Sequence, residues 1–247
     1  MEYFFQLGEV QSVALLIELN KSCIDDEGVL SFANAISGLD VMKLRLDGNK
    51  SVTKPGWKAV SKILLQNKSL EELYLMENNI DDEVVGAFAS ALCGGSLNTL
   101  WFGTKHEVTV AGWTSLSNRL LNKSSKLAAQ SSNHVLTGVC YAGRPLEEVT
   151  GLRYRKGCGP VPHNLPDDLL LLLELNKNED KDEVAQQKVL LYHLWKLCDV
   201  ETDIGLNLLP FIVELIGKRF SDEKMSQWIT YRFLRSTPTL FVEMHAI

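Results

Sequence analysis

The chain has 247 residues, 45% hydrophobic and 23% charged, with 25 Lys and Arg against 31 Asp and Glu for a net charge of −6. That length and apolar content suit one large domain or two modest ones, and they exclude wholesale disorder and any need for metal or disulfide staples. An acidic balance spread over both halves is no footprint for nucleic acid, so no DNA or RNA partner is expected.

Residues 1–10, MEYFFQLGEV, have an acid at position 2, no Lys or Arg, and no apolar stretch as long as a signal-peptide core. The longest greasy run, Leu206 to Gly217, is interrupted by Pro210 and Glu214 and falls short of the about 20 residues a spanning helix needs. Five cysteines, Cys23, Cys93, Cys140, Cys158 and Cys198, form no C-x-x-C pair, which points to reduced, mostly buried thiols. A cytoplasmic setting without a membrane partner is expected. Asn-Lys-Ser recurs at Asn20, Asn49, Asn67 and Asn122, and without a secretory route it reads as repetition rather than glycosylation.

From about residue 10 to 140 the chain repeats itself. L-x-x-L-x-L-x-x-N appears at Val41, Leu44, Leu46, Asn49 and at Leu70, Leu73, Leu75, Asn78, with looser copies at Ala14, Ile17, Leu19, Ser22 and at Leu97, Leu100, Phe102, Lys105. A longer period overlies this one. Ile-Asp-Asp-Glu recurs at Ile24–Glu27 and Ile80–Glu83, and Val-Thr-x-x-Gly-Trp at Val52–Trp57 and Val108–Trp113. The duplicated unit is therefore a two-repeat block. Alternation such as Leu44-Arg45-Leu46 predicts a strand, whereas Val29, Phe32, Ala33, Ile36 and Val85, Phe88, Ala89, Leu92 follow the spacing of a helix with one apolar stripe. Asp25 or Asp26, and Asp81 or Asp82, are suited to cap those helices. Trp57 and Trp113 recur with the architecture and read as packing residues.

These strand-plus-helix units resemble the ribonuclease-inhibitor-like class of leucine-rich repeats, over about residues 10–140. The resemblance implies an α/β solenoid with a curved parallel sheet inside and helices outside. It also implies an asparagine ladder, matched by Asn49 and Asn78, weakly by Ser22, and broken at Lys105. Leu127 to Val139, with Ser131-Ser132-Asn133-His134 at its centre, reads as a degenerate capping copy. The expected organisation is a solenoid over 1–142, an irregular Gly/Pro-rich connector over 143–165, and an all-α C-terminal segment over 166–247. That segment is expected to hold helices over Leu169–Leu175 and about 181–198, 205–218 and 221–235, the last capped by Ser221.

Residues flanking the strand leucines are expected on the concave side, in columns: Leu16, Lys43, Glu72, Thr99; then Glu18, Arg45, Tyr74, Trp101; then Asn20, Asp47, Met76, Gly103. Tyr, Trp and Arg dominate interface hot spots, so Glu18, Lys43, Arg45, Asp47, Glu72, Tyr74, Met76 and Trp101 are the candidate protein-binding residues. Tyr74 and Trp101 could instead be ordinary core beneath the C-terminal helices.

Catalytic and cofactor signatures are weak. His106, His134, His163, His193 and His245 form no H-E-x-x-H motif. Cys158 and His163 sit in the connector with nothing to fix a nucleophile–base geometry. Gly157-Cys158-Gly159 lacks the strand and helix of a phosphate loop, and Arg153, Tyr154, Arg155 and Lys156 read as a solvated basic loop. The expectation is a non-catalytic protein-binding module with no cofactor, no metal and no small-molecule substrate. The alternative, by fold analogy, is a regulator of a catalytic partner such as a GTPase activator, with Arg45 or Arg119 as the arginine acting in trans.

Overall fold

A computed structural model describes residues 15–36, 38–92, 94–103, 108–141, 144–146, 165–166, 168–199, 209–220 and 222–236. The connector expected over 143–165 lies almost wholly outside them, as do Ala14, Lys105, His106, Arg153, Tyr154, Arg155, Lys156, Cys158, His163, Ser221 and His245. The chain forms two compact units, Met1–Leu116 with Val135–Leu170, and Ser117–His134 with Leu171–Ile247.

The first unit is α/β. Strands β1 (Leu15–Glu18), β2 (Val41–Arg45), β3 (Glu72–Met76), β4 (Thr99–Gly103) and β5 (Gly138–Tyr141) lie in sequence order, and a short β6 (Arg144–Pro145) closes the sheet. The first five pair in parallel and β6 pairs antiparallel with β5. Between them run α1 (Asp26–Ile36), α2 (Lys54–Gln66), α3 (Asp82–Ala91) and α4 (Val110–Leu120), whose last turn is counted with the second unit. Parallel neighbours require such crossovers.

One row of strand side chains is the core. Leu44, Leu73, Leu100 and Val139 stand in register and are almost fully buried, each removal from water contributing about 1.5–3 kcal/mol. Helices α1 and α2 pack side by side, as do α2 and α3, and they turn Val29, Ala33, Val60, Ile63, Val85 and Phe88 inward. Trp57 and Trp113 are both fully buried. Trp113 stacks on Phe102 at 5.4 Å and meets Tyr141 edge-on at 5.7 Å. The cysteines do not all follow expectation, since Cys140 is buried but Cys23 is exposed in a left-handed turn with φ 53°.

The paired motifs have a physical cause. The first Asp of each Ile-Asp-Asp-Glu caps its own helix: Asp25 accepts from the Gly28 amide at 2.9 Å and Asp81 from the Val84 amide at 3.1 Å. The second Asp reaches forward instead. Asp26 accepts from the Thr53 amide at 2.7 Å and from its hydroxyl, and Asp82 accepts from the Thr109 amide at 2.8 Å and from its hydroxyl. A Cβ on Gly112 would lie 2.6 Å from both Asp82 Oδ1 and Val108 Cγ1, so the Gly of Val-Thr-x-x-Gly-Trp makes room for the carboxylate of the preceding unit. A second link is Asn49, whose amide donates to the carbonyls of Leu19 at 2.7 Å and Leu46 at 3.0 Å while its Oδ1 accepts from the Ser22 amide at 3.0 Å. Asn78 repeats one of these bonds, to Leu46 at 2.9 Å, and its Oδ1 has no partner among the described residues. The residue before each of these positions is left-handed: Lys21 at φ 51°, Gly48 at 73° and Glu77 at 59°.

The second unit is helical among its described residues. It holds α5 (Lys126–Gln130), α7 (Lys181–Asp199), α8 (Leu209–Arg219) and α9 (Glu223–Ser236), and most of α6 (Leu169–Leu175). Helix α7 packs against α5 and α9, and α9 packs against α8. Asp180 caps α7 through the Asp182 and Glu183 amides at 3.1 and 3.0 Å, and Asp222 caps α9 through the Met225 amide at 2.7 Å. Val184, Leu191, Leu194, Ile216, Phe220, Ile229 and Phe233 are buried, and so, fully, is Lys188. No described helix is long and apolar enough to cross a membrane.

Two substitutions test the linking geometry by chemical denaturation. Gly112→Ala forces Asp82 from its seat and should cost about 1–3 kcal/mol, as overpacking does. Glu77→Gly relieves a left-handed residue that costs roughly 1 kcal/mol and should raise stability by a few tenths to about 1 kcal/mol, since its exposed ion pair with Lys21 at 3.4 Å contributes little.

Candidate functional site

The sheet face away from the buried leucines carries the columns expected of it. Leu16, Lys43, Glu72, Thr99 and Gly138 stand in register, as do Glu18, Arg45, Tyr74, Trp101 and Cys140, and as do Met76 and Gly103. Asn20 and Asp47 extend the third column by a relay: the Asp47 amide donates to Asn20 Oδ1 at 3.0 Å, and the Met76 amide donates to Asp47 Oδ1 at 2.7 Å.

All eight candidate residues lie on this face, and seven of them touch another through their side chains. Tyr74 stacks on Trp101 with ring centroids 5.2 Å apart and planes 12° from parallel. The Arg45 guanidinium lies 4.8 Å from the Tyr74 centroid and pairs with Glu18 at 3.2 Å and Asp47 at 3.4 Å. Lys43 pairs with Glu72 at 2.8 Å and sits 5.3 Å from the Tyr74 ring, while the Tyr74 hydroxyl donates to the same carboxylate. Met76 joins through its backbone amide. Tyr74 and Trp101 are half-buried.

The protonation states follow from these contacts. The Glu72 bond holds the Lys43 ammonium above its ordinary range. Burial would push Glu72 up, but the bonds from Lys43 and Tyr74 outweigh it and hold the carboxyl below the usual range. Burial and the Glu72 bond push the Tyr74 phenol up. Asp47 differs: burial pushes it up, and the Met76 amide and Arg45 only partly offset this. At neutral pH the face is an aromatic stack whose flanking charges are paired with one another. Trp101 Nε1 and Arg45 Nε have no hydrogen-bond partner among the described residues. No group of three or more His, Cys, Asp or Glu side chains among the described residues is placed to hold a metal.

The sequence does not foreshadow all of this. Periodicity reveals the columns but not the internal pairing of Lys43 with Glu72 or the tyrosine hydroxyl bond, because pairing depends on rotamers. Lys188 in the second unit also escapes a reading by motif. The available signal is its place four residues after Val184 and three before Leu191, within the apolar stripe of α7.

Asp47 gives a pH test. A carboxyl whose folded pKa is raised favours the fold in its protonated form, and that contribution is lost as pH rises through the folded value. Asp47→Asn keeps an acceptor for the Met76 amide without the buried charge, so relative to wild type it should be more stable in urea melts at pH 7 than at pH 3. Asp47→Leu leaves that amide unpaired and should cost about 1–3 kcal/mol at either pH. No protein-family model matches this chain, and no curated protein matches it.

Proposed function

We propose that this chain is a leucine-rich repeat protein of the ribonuclease-inhibitor-like class and that it is a non-catalytic module whose concave strand face binds a protein partner. The class reading is supported by sequential parallel strands offset by repeat-length steps, a helix after each of the first four, and Asn49 joining two strand–helix repeats through two bonds. The reading of function rests on one observation, the Tyr74–Trp101 stack left half-open on that face. Half-exposed Trp and Tyr offer large area at low rotamer cost, and a rim of charges fits the usual anatomy of an interface. A partner that covers the stack removes apolar edge from water without separating Lys43 from Glu72 or Arg45 from Glu18.

A regulator with an arginine acting in trans has less support. Arg45 is engaged by Glu18, Asp47 and the Tyr74 ring, so using it elsewhere would cost all three contacts. Single-turnover GTP hydrolysis across a panel of small GTPases should show no acceleration by this protein.

Affinity capture from the native cell, with the wild type compared against Tyr74→Ala and Trp101→Ala, tests the interface. Each variant should weaken the captured complex by about 2 kcal/mol or more, which is roughly a thirtyfold loss in affinity, with little change in melting temperature. A large fall in melting temperature in the absence of partner would mean that the pair belongs to the core instead. Trp57→Ala, fully buried in α2, supplies that core benchmark and should cost about 3–5 kcal/mol of stability.

A further inference from the structure

The second unit buries a lysine that nothing in the strand-face reading uses. Lys188 lies in the middle of α7 with its side chain wholly out of water. Its Nζ donates to the backbone carbonyl of Asn133 at 2.5 Å and to Asn176 Oδ1 at 2.7 Å. Both acceptors are neutral, and Lys188 forms no ion pair among the described residues. The Asn176 amide group reaches the same Asn133 carbonyl at 3.4 Å. One amine therefore ties α7 to the end of α6 and to the segment that follows α5.

The charge that bears on its protonation, that of Lys181, is of its own sign. From the first turn of α7, Lys181 donates to the carbonyls of Asn176 at 2.7 Å and Asn178 at 2.8 Å. From the segment after α5 comes His134, its Nε2 against the Gln130 carbonyl at 2.9 Å. Lys126 of α5 is exposed, Lys123 lies over the Trp195 ring of α7 at 3.8 Å, and Arg232 of α9 lies over the Trp228 ring at 5.3 Å. The carboxylates at the α6–α7 turn are committed elsewhere: Glu183 to Asn178 and Gln187, Asp180 to the first amides of α7, and Glu174 to Lys177. A buried ammonium needs a counter-charge to be tolerated, and no carboxylate of this turn supplies one.

We propose that Lys188 is a proton-linked latch, holding the 117–134 segment on α7 while its amine is neutral and releasing it when the amine takes up a proton. Burial first, and Lys181 second, lower its pKa from 10.5 to about 6 in the closed unit. Exposed by opening, the amine returns to its ordinary value and binds a proton that the closed form rejects. The opening equilibrium therefore rises about tenfold for each pH unit lost across that window. It levels off below the closed-state value, where both forms are protonated. His134 is held down by burial first and then by Lys188 and Lys181.

Hydrogen exchange on the full chain between pH 6 and pH 9 tests this. Protection factors for α7 amides should fall about tenfold per unit from pH 9 to pH 7 and flatten near pH 6, while amides of β3 and β4 hold theirs. Lys188→Met, close enough in shape to keep the core, should abolish the slope. Protection that does not change with pH, a Lys188→Met variant with the wild-type slope, or a parallel fall in the sheet amides would overturn the latch. Should that variant not fold, the Nζ resonance of wild-type Lys188 decides the matter: titration near pH 6 supports it, and titration near pH 10 removes it.

Discussion

The first unit depends on a carboxylate that serves the next strand–helix unit rather than its own. Asp26 grips Thr53 and Asp82 grips Thr109, each across 27 residues, at the point where a helix begins. A single strand and helix of this size cannot bury enough apolar surface to offset the entropy of ordering its chain. Stability has to come from stacking, and stacking needs a defined offset. Two bonds from one carboxylate to the amide and hydroxyl of one threonine fix that offset at the helix ends, as Asn49 does beside the strands. At Asn49, which is buried, loss of the side chain would leave backbone groups stranded, and that costs more than the net value of the bond.

The same offset builds the surface. Parallel strands lie about 4.8 Å apart, so flat side chains at one register position on neighbouring strands are held near stacking distance before any attraction between them acts. Tyr74 and Trp101 at 5.2 Å meet that condition. Arg45, one strand back, meets it on the other side of the tyrosine at 4.8 Å. The order from charged to aromatic across β1 to β4 is then a one-dimensional array written at one residue per strand. The ion pairs beside it neutralise the charges that would otherwise repel a partner of either sign.

Strands, helices and columns are legible because they are periodic, and period survives without knowledge of rotamers. Leu44, Leu73 and Leu100 are equivalent places filled by one residue type, so misreading a single side chain would not alter the pattern. Which aspartate caps and which one reaches forward is not legible from propensity, since both belong at a helix start; the recurrence of Thr and Gly at a fixed distance is the usable clue. Beside Ser221, the cap expected for α9 and outside the described residues, Asp222 accepts from the Met225 amide, and propensity alone does not rank two cap-forming residues side by side. Lys188 is illegible for a different reason. A lysine within an apolar stripe normally carries its charge out to water along its aliphatic stem, and only the tertiary placement of Asn133 and Asn176 gives the amine somewhere else to end.

Comparison among equivalent positions separates architecture from function. Asp26 and Asp82, Gly56 and Gly112, Trp57 and Trp113 are each identical across 56 residues, and each has a packing or hydrogen-bonding reason to be so. Glu18 and Tyr74 stand the same distance apart, as do Arg45 and Trp101, and neither pair is alike. No constraint from the fold selects a tyrosine where an earlier unit has a glutamate, because the open face admits either. Residues that differ while the scaffold around them repeats are free of the scaffold's demands, and the half-buried aromatic stack at such positions is what the proposed binding surface rests on.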